Sequence, residues 1–217
     1  MSKIKPPNPP RATRANIQSI LNKNQLLFSN GTEDVTVVCI RGYYLRSMGD
    51  STRNDRGIYD DAAFIVSPNH FSSYNANTDP SRRRKGMASL TAPQVIHYRP
   101  GYHGYNSKYG HPAFRQASDV TVFRDDTQSY RDGTSHSKFG KCQGEGVWSD
   151  HGRAKFWTNL HRGGRTTTSS AGCLTIPPSQ WNAFRETMEL LLQRCMPDLP
   201  RKERVFPLLL VEDPRVV

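Results

Sequence analysis

The sequence predicts a β-rich α+β fold in a single domain with a few short peripheral helices, and three observations carry that expectation. At 217 residues the chain is long enough to bury one substantial core, and no change of composition marks a second. Hydrophobic residues make up only 35%, while 16 Gly and 15 Pro sit among many Ser and Thr, so turn-rich connections must separate the elements. Most apolar runs are short and β-branched, and helical spacing recurs at only two places.

Residues 1–12 contain Pro6, Pro7, Pro9 and Pro10 among basic and polar residues and read as an extended, poorly ordered leader to a single domain at 13–217. Ile17, Ile20 and Leu21 fall at helical spacing, which predicts a short helix from Thr13 to about Asn22. Residues 35–44 are β-branched and aromatic and read as a buried strand, with Cys39 as an inert core thiol. A polar loop at 49–57 leads into a segment, 58–66, that ends as a strand. Asp60 and Asp61 would point to opposite faces of such a strand, so a turn or strand-edge role is expected for them.

Residues 67–84 read as a loop ending in the basic run Arg82-Arg83-Arg84-Lys85. Residues 90–98 read as a strand broken at Pro93, and 98–114, where Gly alternates with Tyr and His, as a long hairpin or flap. Val120 to Phe123 is a short strand, and 124–146 is a polar connection holding His136 and Cys142. Ser179 can cap a helix whose apolar stripe is Trp181, Phe184, Met188, Leu191, Leu192 and Cys195, ended by Pro197. Residues 204–211 supply a last strand.

The formal net charge of +11 predicts attraction to polyanions: nucleic acid, an anionic cell wall or a membrane surface. Zinc-finger spacing, a helix-turn-helix signal and a basic-aromatic binding motif are all missing, which disfavours nucleic acid. Four separated cysteines without a C-x-x-C pair signal neither a disulfide framework nor a cysteine zinc site. The N-terminus lacks a signal-peptide core, and no stretch approaches a spanning helix, so stable membrane insertion is not expected. Synthesis in a cytoplasm with reduced thiols follows.

The chemistry concentrates at 157–181. A cysteine attacks as its thiolate and needs a nearby base, for which a histidine titrating near neutrality is the usual partner. His161 and Cys173 supply that pair, joined by a turn rich in Gly, Ser and Thr. Gly172 permits a tight backbone, so the amides of Gly172 and Cys173 are candidate oxyanion donors. Ser169, Ser170 or Arg162 can complete the surroundings, and the carbonyl of Gly163 or Gly164 can orient the imidazole. The alternative is a buried cysteine beside a structural histidine. His97, His103, His111, His136 and His151 read as surface or structural histidines.

His161-Arg162-Gly163-Gly164 followed by Ser170-Ala171-Gly172-Cys173-Leu174 resembles the catalytic signature of the L,D-transpeptidase (YkuD-type) family. Compared with that signature the His-to-Cys gap is shorter, Ala171 stands where the family has histidine, and Thr175 where Asn or Arg is common. With the segments Arg41 to Leu45 and Gly57 to Pro68, the chain is similar to phage-encoded relatives associated with cell-wall degradation. The resemblance implies a β-sandwich-like fold, Cys173 as nucleophile, His161 as base, Ser170 and Gly172 as catalytic support, and Arg162, Gly163, Gly164, Ser169 and Thr175 near the substrate. It implies no metal and no other cofactor.

The expected function is therefore an endolysin-like cysteine peptidase, a monomer acting on stem or cross-link peptides of bacterial peptidoglycan after release from the cytoplasm. One alternative is acyl transfer to an amine. Another is a zinc hydrolase built from His136, His151 or His161 with Cys173 or an aspartate, although no H-E-x-x-H is present. A non-catalytic wall-binding or virion protein is the remaining class.

Overall fold

The computed structural model describes residues 4–26, 34–48, 55–82, 87–104, 107–124, 138–142 and 157–213. Among them are helices α1 (Arg14–Lys23) and α2 (Pro178–Cys195) and strands β1 (Thr36–Arg41), β2 (Asp61–Ser67), β3 (His70–Ala76), β4 (Ala88–Leu90), β5 (Gln94–His103), β6 (His111–Gln116), β7 (Val120–Arg124), β8 (Lys138–Cys142), β9 (Leu160–Arg162), β10 (Leu174–Ile176) and β11 (Phe206–Glu212). Eight strands form one sheet in the order β10-β9-β6-β5-β11-β1-β2-β3, and β4-β7-β8 form a second. Reciprocal backbone hydrogen bonds of 2.8 Å between Asn77 and Thr175 join the two ends of the large sheet, which is thereby nearly closed. The fold is β-rich α+β, as expected. Its larger element is one strongly curved sheet.

Both faces of the central strands are buried, which explains their unbroken apolar runs. Val37 and Cys39 of β1, Ala63 and Ile65 of β2, and Leu208 and Leu210 of β11 pack with α2 and the small sheet. The alternate residues Val38, Ile40, Ala62, Phe64 and Leu209 pack against Ile17 and Leu21 of α1. Helix α1 starts as the sequence suggests: Thr13 accepts from the Asn16 amide at 3.2 Å, and the Asn16 side chain returns to the Thr13 amide at 2.9 Å. Helix α2 begins differently. Pro177 is its N-cap, and Pro178, with φ preset by its ring, takes the first helical position rather than Ser179 taking the cap.

Three further elements depart from the sequence reading. The segment expected as a loop at 67–84 contains β3, paired with β2 from Ser67↔His70 to Asp61↔Ala76. Its Ser and Asn residues have low strand propensity, and pairing in the sheet overrides it. The strand expected across Pro93 is two strands in different sheets, β4 and β5, and β8 lies inside the connection expected at 124–146. Residues 4–12 are extended but tied down: Tyr44 Oη donates to the Asn8 carbonyl at 2.8 Å, Ser73 Oγ to the Pro10 carbonyl at 3.1 Å, and the Arg11 amide to Tyr43 Oη at 2.9 Å.

At the end of β1, Arg41 is fully buried. It donates to the Leu90 carbonyl at 2.9 Å, the Thr78 carbonyl at 3.1 Å and Thr78 Oγ1 at 3.0 Å, and its Nε lies 3.3 Å from Asp79. Asp61 accepts from the amides of Gly42 at 2.5 Å and Thr78 at 2.6 Å, so this buried aspartate of β2 ties strand ends together. Burial, and next the Asp79 charge, push the Asp61 carboxyl up to about 6. Arg41→Met keeps the volume but leaves these carboxylates without their cation. A loss of about 3–5 kcal/mol is expected, read as a lower urea midpoint.

Candidate active site

His161 lies in β9 and Cys173 immediately precedes β10; the two strands pair in parallel, with Leu174 beside Leu160 and Thr175 beside His161. The turn between them is fixed at several points. The Gly163 amide donates to the Ile176 carbonyl at 2.9 Å, and Tyr59 Oη donates to the Gly164 carbonyl at 2.7 Å. A Cβ on Gly163 would collide with that same Tyr59 hydroxyl, so this close approach requires glycine. Ser81 latches the far side, accepting the Ser170 amide at 2.7 Å and donating its own amide to the Ser170 carbonyl at 2.9 Å.

The hairpin expected at 98–114 forms from β5 and β6 and adds two histidines to the pair. Its register places His103 opposite His111. The His103 ring stacks on His161, with centroids 4.0 Å apart and planes 12° apart, and the His111 centroid lies 5.3 Å from that of His161. Ligating atoms of His103, His161 and Cys173 all fall within 4.8 Å of one another. Neither added histidine was assigned to the site from sequence. A hairpin centred on residue 107 pairs 103 with 111, which could have been read from the loop's symmetry, whereas their approach to His161 depends on the pairing of β6 with β9.

The protonation pattern follows from the neighbours. His111 Nδ1 lies 2.9 Å from the Tyr109 carbonyl and so carries a proton, which leaves its Nε2 as an acceptor. His161 Nδ1 lies 2.8 Å from the Arg162 carbonyl and 3.4 Å from His111 Nε2, so it too is protonated. His161 Nε2 then carries a lone pair, and it is buried without a hydrogen-bond partner among the described residues. Burial, with the neighbouring His103 next in weight, pushes the His161 imidazole down to about 3. Burial pushes the Cys173 thiol up to about 12, opposed by a smaller effect of the Asn159 amide. The resting pair is neutral thiol and neutral imidazole.

The other expected site residues separate into support and surface. Ser170 Oγ donates to the Cys173 carbonyl at 2.6 Å and accepts from the Gly172 amide at 3.0 Å, so it braces the backbone around Cys173. The Gly172 amide is engaged there and is not an open oxyanion donor; its φ of +146° is the reason for glycine. The carbonyl that orients His161 belongs to Arg162, not to Gly163 or Gly164. Arg162 and Ser169 are exposed, whereas Thr175 is fully buried and bridged to Asn77, out of reach of a substrate. Ser170→Ala would leave two buried backbone groups unpaired. An expected loss of about 1–3 kcal/mol should appear as a lower thermal midpoint.

Asn159 also belongs to the site: its side-chain amide lies 3.1 Å from His103 Nδ1 and its carbonyl accepts the Leu174 amide at 2.9 Å. Cys39 is the inert core thiol expected, its pKa raised by burial, and Cys195 packs half-buried against the core. His97 is exposed on β5. His136 and His151 lie outside the described residues. Cys173 itself is 7% exposed and His161 2%, while His103 is half-buried. A cleft of about 390 Å³ bounded by Ile4, Tyr59, Gly164, Arg165 and Pro177 includes neither Cys173 nor His161.

No family model, curated protein or solved structure matches this chain. Among the described residues no helix is long and apolar enough to cross a membrane.

Proposed function

We propose that the chain is a cysteine-dependent acyl-transfer enzyme acting on peptidoglycan, an endolysin-like peptidase that cleaves stem or cross-link peptides through a Cys173 thioacyl intermediate. The observation that carries this reading is a ring nitrogen of His161 within 4.8 Å of the Cys173 sulfur at the ends of two paired strands, with the buried Nε2 of that ring lacking a hydrogen-bond partner among the described residues. As the sulfur attacks the carbonyl carbon, its proton passes to Nε2. The Arg162 carbonyl on Nδ1–H then stabilises the imidazolium, and the Cys173 amide is the remaining backbone donor for the oxyanion. The protonated His161 returns its proton to the leaving amine, and water resolves the thioacyl enzyme.

The substrate class rests on the resemblance of 157–181 to L,D-transpeptidases, and with it the sandwich-like fold of that family. Net charge supports it, because +11 favours adsorption to anionic wall polymers. Where the family has a second histidine two residues before the cysteine, Ala171 stands here, and the second imidazole near the sulfur is His103 from the hairpin. The protein works as a monomer, made in the cytoplasm and reaching the wall after release. Mass spectrometry of muropeptides from permeabilised cells is the test: new peptide termini produced by the wild type support hydrolysis. Unchanged muropeptides sink the reading, and new cross-links with an added acceptor peptide shift it to transfer.

A further inference from the structure

We propose that His103, His161 and Cys173 form a site for one thiophilic divalent cation of the zinc type, and that an ion held there blocks the thiol until it is removed. Among the described residues these three bring their ligating atoms within 4.8 Å of one another. Two imidazoles and one thiolate form a donor set that borderline-soft ions select, and three protein ligands leave a fourth position open. Tetrahedral bond lengths require ligand separations of ~3.3–3.6 Å, so the donors must draw together by at most about 1.5 Å. Because each imidazole binds in its own ring plane, the half-buried His103 must also turn out of its stack on His161, where the planes lie 12° apart.

The polar neighbours point the same way. A metal-bound histidine donates its second ring N–H to a carbonyl or similar group, which fixes ring and tautomer. His161 has that arrangement, with Nδ1–H on the Arg162 carbonyl at 2.8 Å and a bare, buried Nε2. His103 is braced by Asn159, whose Nδ2 lies 3.1 Å from His103 Nδ1 while its Oδ1, also buried, has no partner among the described residues. Exchanging those two amide atoms lets Oδ1 accept from His103 Nδ1–H and turns His103 Nε2 into a lone-pair donor. The exchange frees the second ring nitrogen of His103 for an ion and leaves the Asn159 NH2 in the position that Oδ1 held. At Cys173 the S–H bond breaks, its proton leaves to solvent, and the thiolate pair forms the sulfur–metal bond. The step is a Lewis acid–base exchange with no change of oxidation state.

An ion so placed takes the electron pair Cys173 needs for attack and the lone pair His161 needs to accept a proton. The block rests on the cysteine-nucleophile reading; the binding site does not. The full chain, stripped with a chelator and dialysed, is titrated with Zn²⁺ by calorimetry, and with Co²⁺ as an optical probe. One equivalent should bind with release of about one proton, and Co²⁺ should give a thiolate-to-metal charge-transfer band. Cys173→Ala and His103→Gln should each weaken binding at least ~10-fold, while Cys195→Ser leaves it unchanged. Zn²⁺ should stop muropeptide release and a chelator restore it.

Absence of stoichiometric binding, or binding that survives Cys173→Ala, overturns the site. Turnover that requires Zn²⁺ and is lost on chelation overturns the block. Turnover retained in Cys173→Ala overturns the cysteine reading and the block with it, while the stoichiometry and the cobalt band still decide the site.

Discussion

Cys173→Ala is expected to lower release of peptide fragments from peptidoglycan to the level of a no-enzyme control, because no other described thiol can replace it. Cys39 is buried in the core with its pKa raised, and Cys195 packs against the core at the end of α2. The variant should fold, since the Cys173 thiol makes only weak sulfur hydrogen bonds among the described residues, to the Trp157 carbonyl at 3.4 Å and with the Asn159 backbone amide. Matching circular dichroism with lost turnover is the expected pair of results; equal turnover would remove Cys173 from the mechanism. With the thiol pushed up to about 12, alkylation of the wild type by iodoacetamide should be slow at neutral pH and accelerate as pH rises.

His161→Gln is expected to reduce kcat by ~10²–10⁴-fold, the usual contribution of a positioned general base. The pH profile should also be unlike that of an ordinary thiol–imidazole ion pair. Because His161 is held down to about 3, it stays neutral far below the usual histidine range, and loss of kcat/KM near pH 6.5 should be missing. The same burial makes the imidazole a weak base, so proton transfer accompanies attack and does not precede it. An acid limb centred near 6.5 would remove His161 from the role of base.

The same burial links folding to pH. An unfolded His161 takes up a proton below its ordinary 6.5, whereas the folded one does not until about 3, so its contribution makes the protein less stable as pH falls through that window. Asp61 acts oppositely: raised from 3.8 to about 6, it makes the fold more stable as pH falls between those values. The difference between wild type and His161→Gln isolates the histidine. The gap between their urea midpoints should shift in favour of the variant as pH is lowered from 6.5 toward 3.

What could be read in the chain was whatever local patterns encode. The two helices carry a 3.6-residue stripe, β1 a β-branched run and β11 a short apolar run, so α1, β1, α2 and β11 were legible. His161 and Cys173 were legible because a short turn holds them on neighbouring strands. Strand β3 was not, since Ser72, Ser73 and Asn75 are in a strand through pairing with β2 and not by propensity. Nor was the role of Ser170, whose hydroxyl could face the sulfur or the backbone at the same sequence position; the Gly172 and Cys173 backbone groups within its reach decided it.

By itself, then, the sequence determined a β-rich domain and a histidine and cysteine brought close by eleven intervening residues. Only the tertiary structure decided what surrounds them. His103 and His111 lie 50 residues or more before His161, and the long-range pairing of β6 with β9 carries the β5–β6 hairpin onto β9. That placement buries His161, strips its Nε2 of partners and lowers its proton affinity. These are long-range effects of packing and dielectric, for which no local pattern of residues carries a signal.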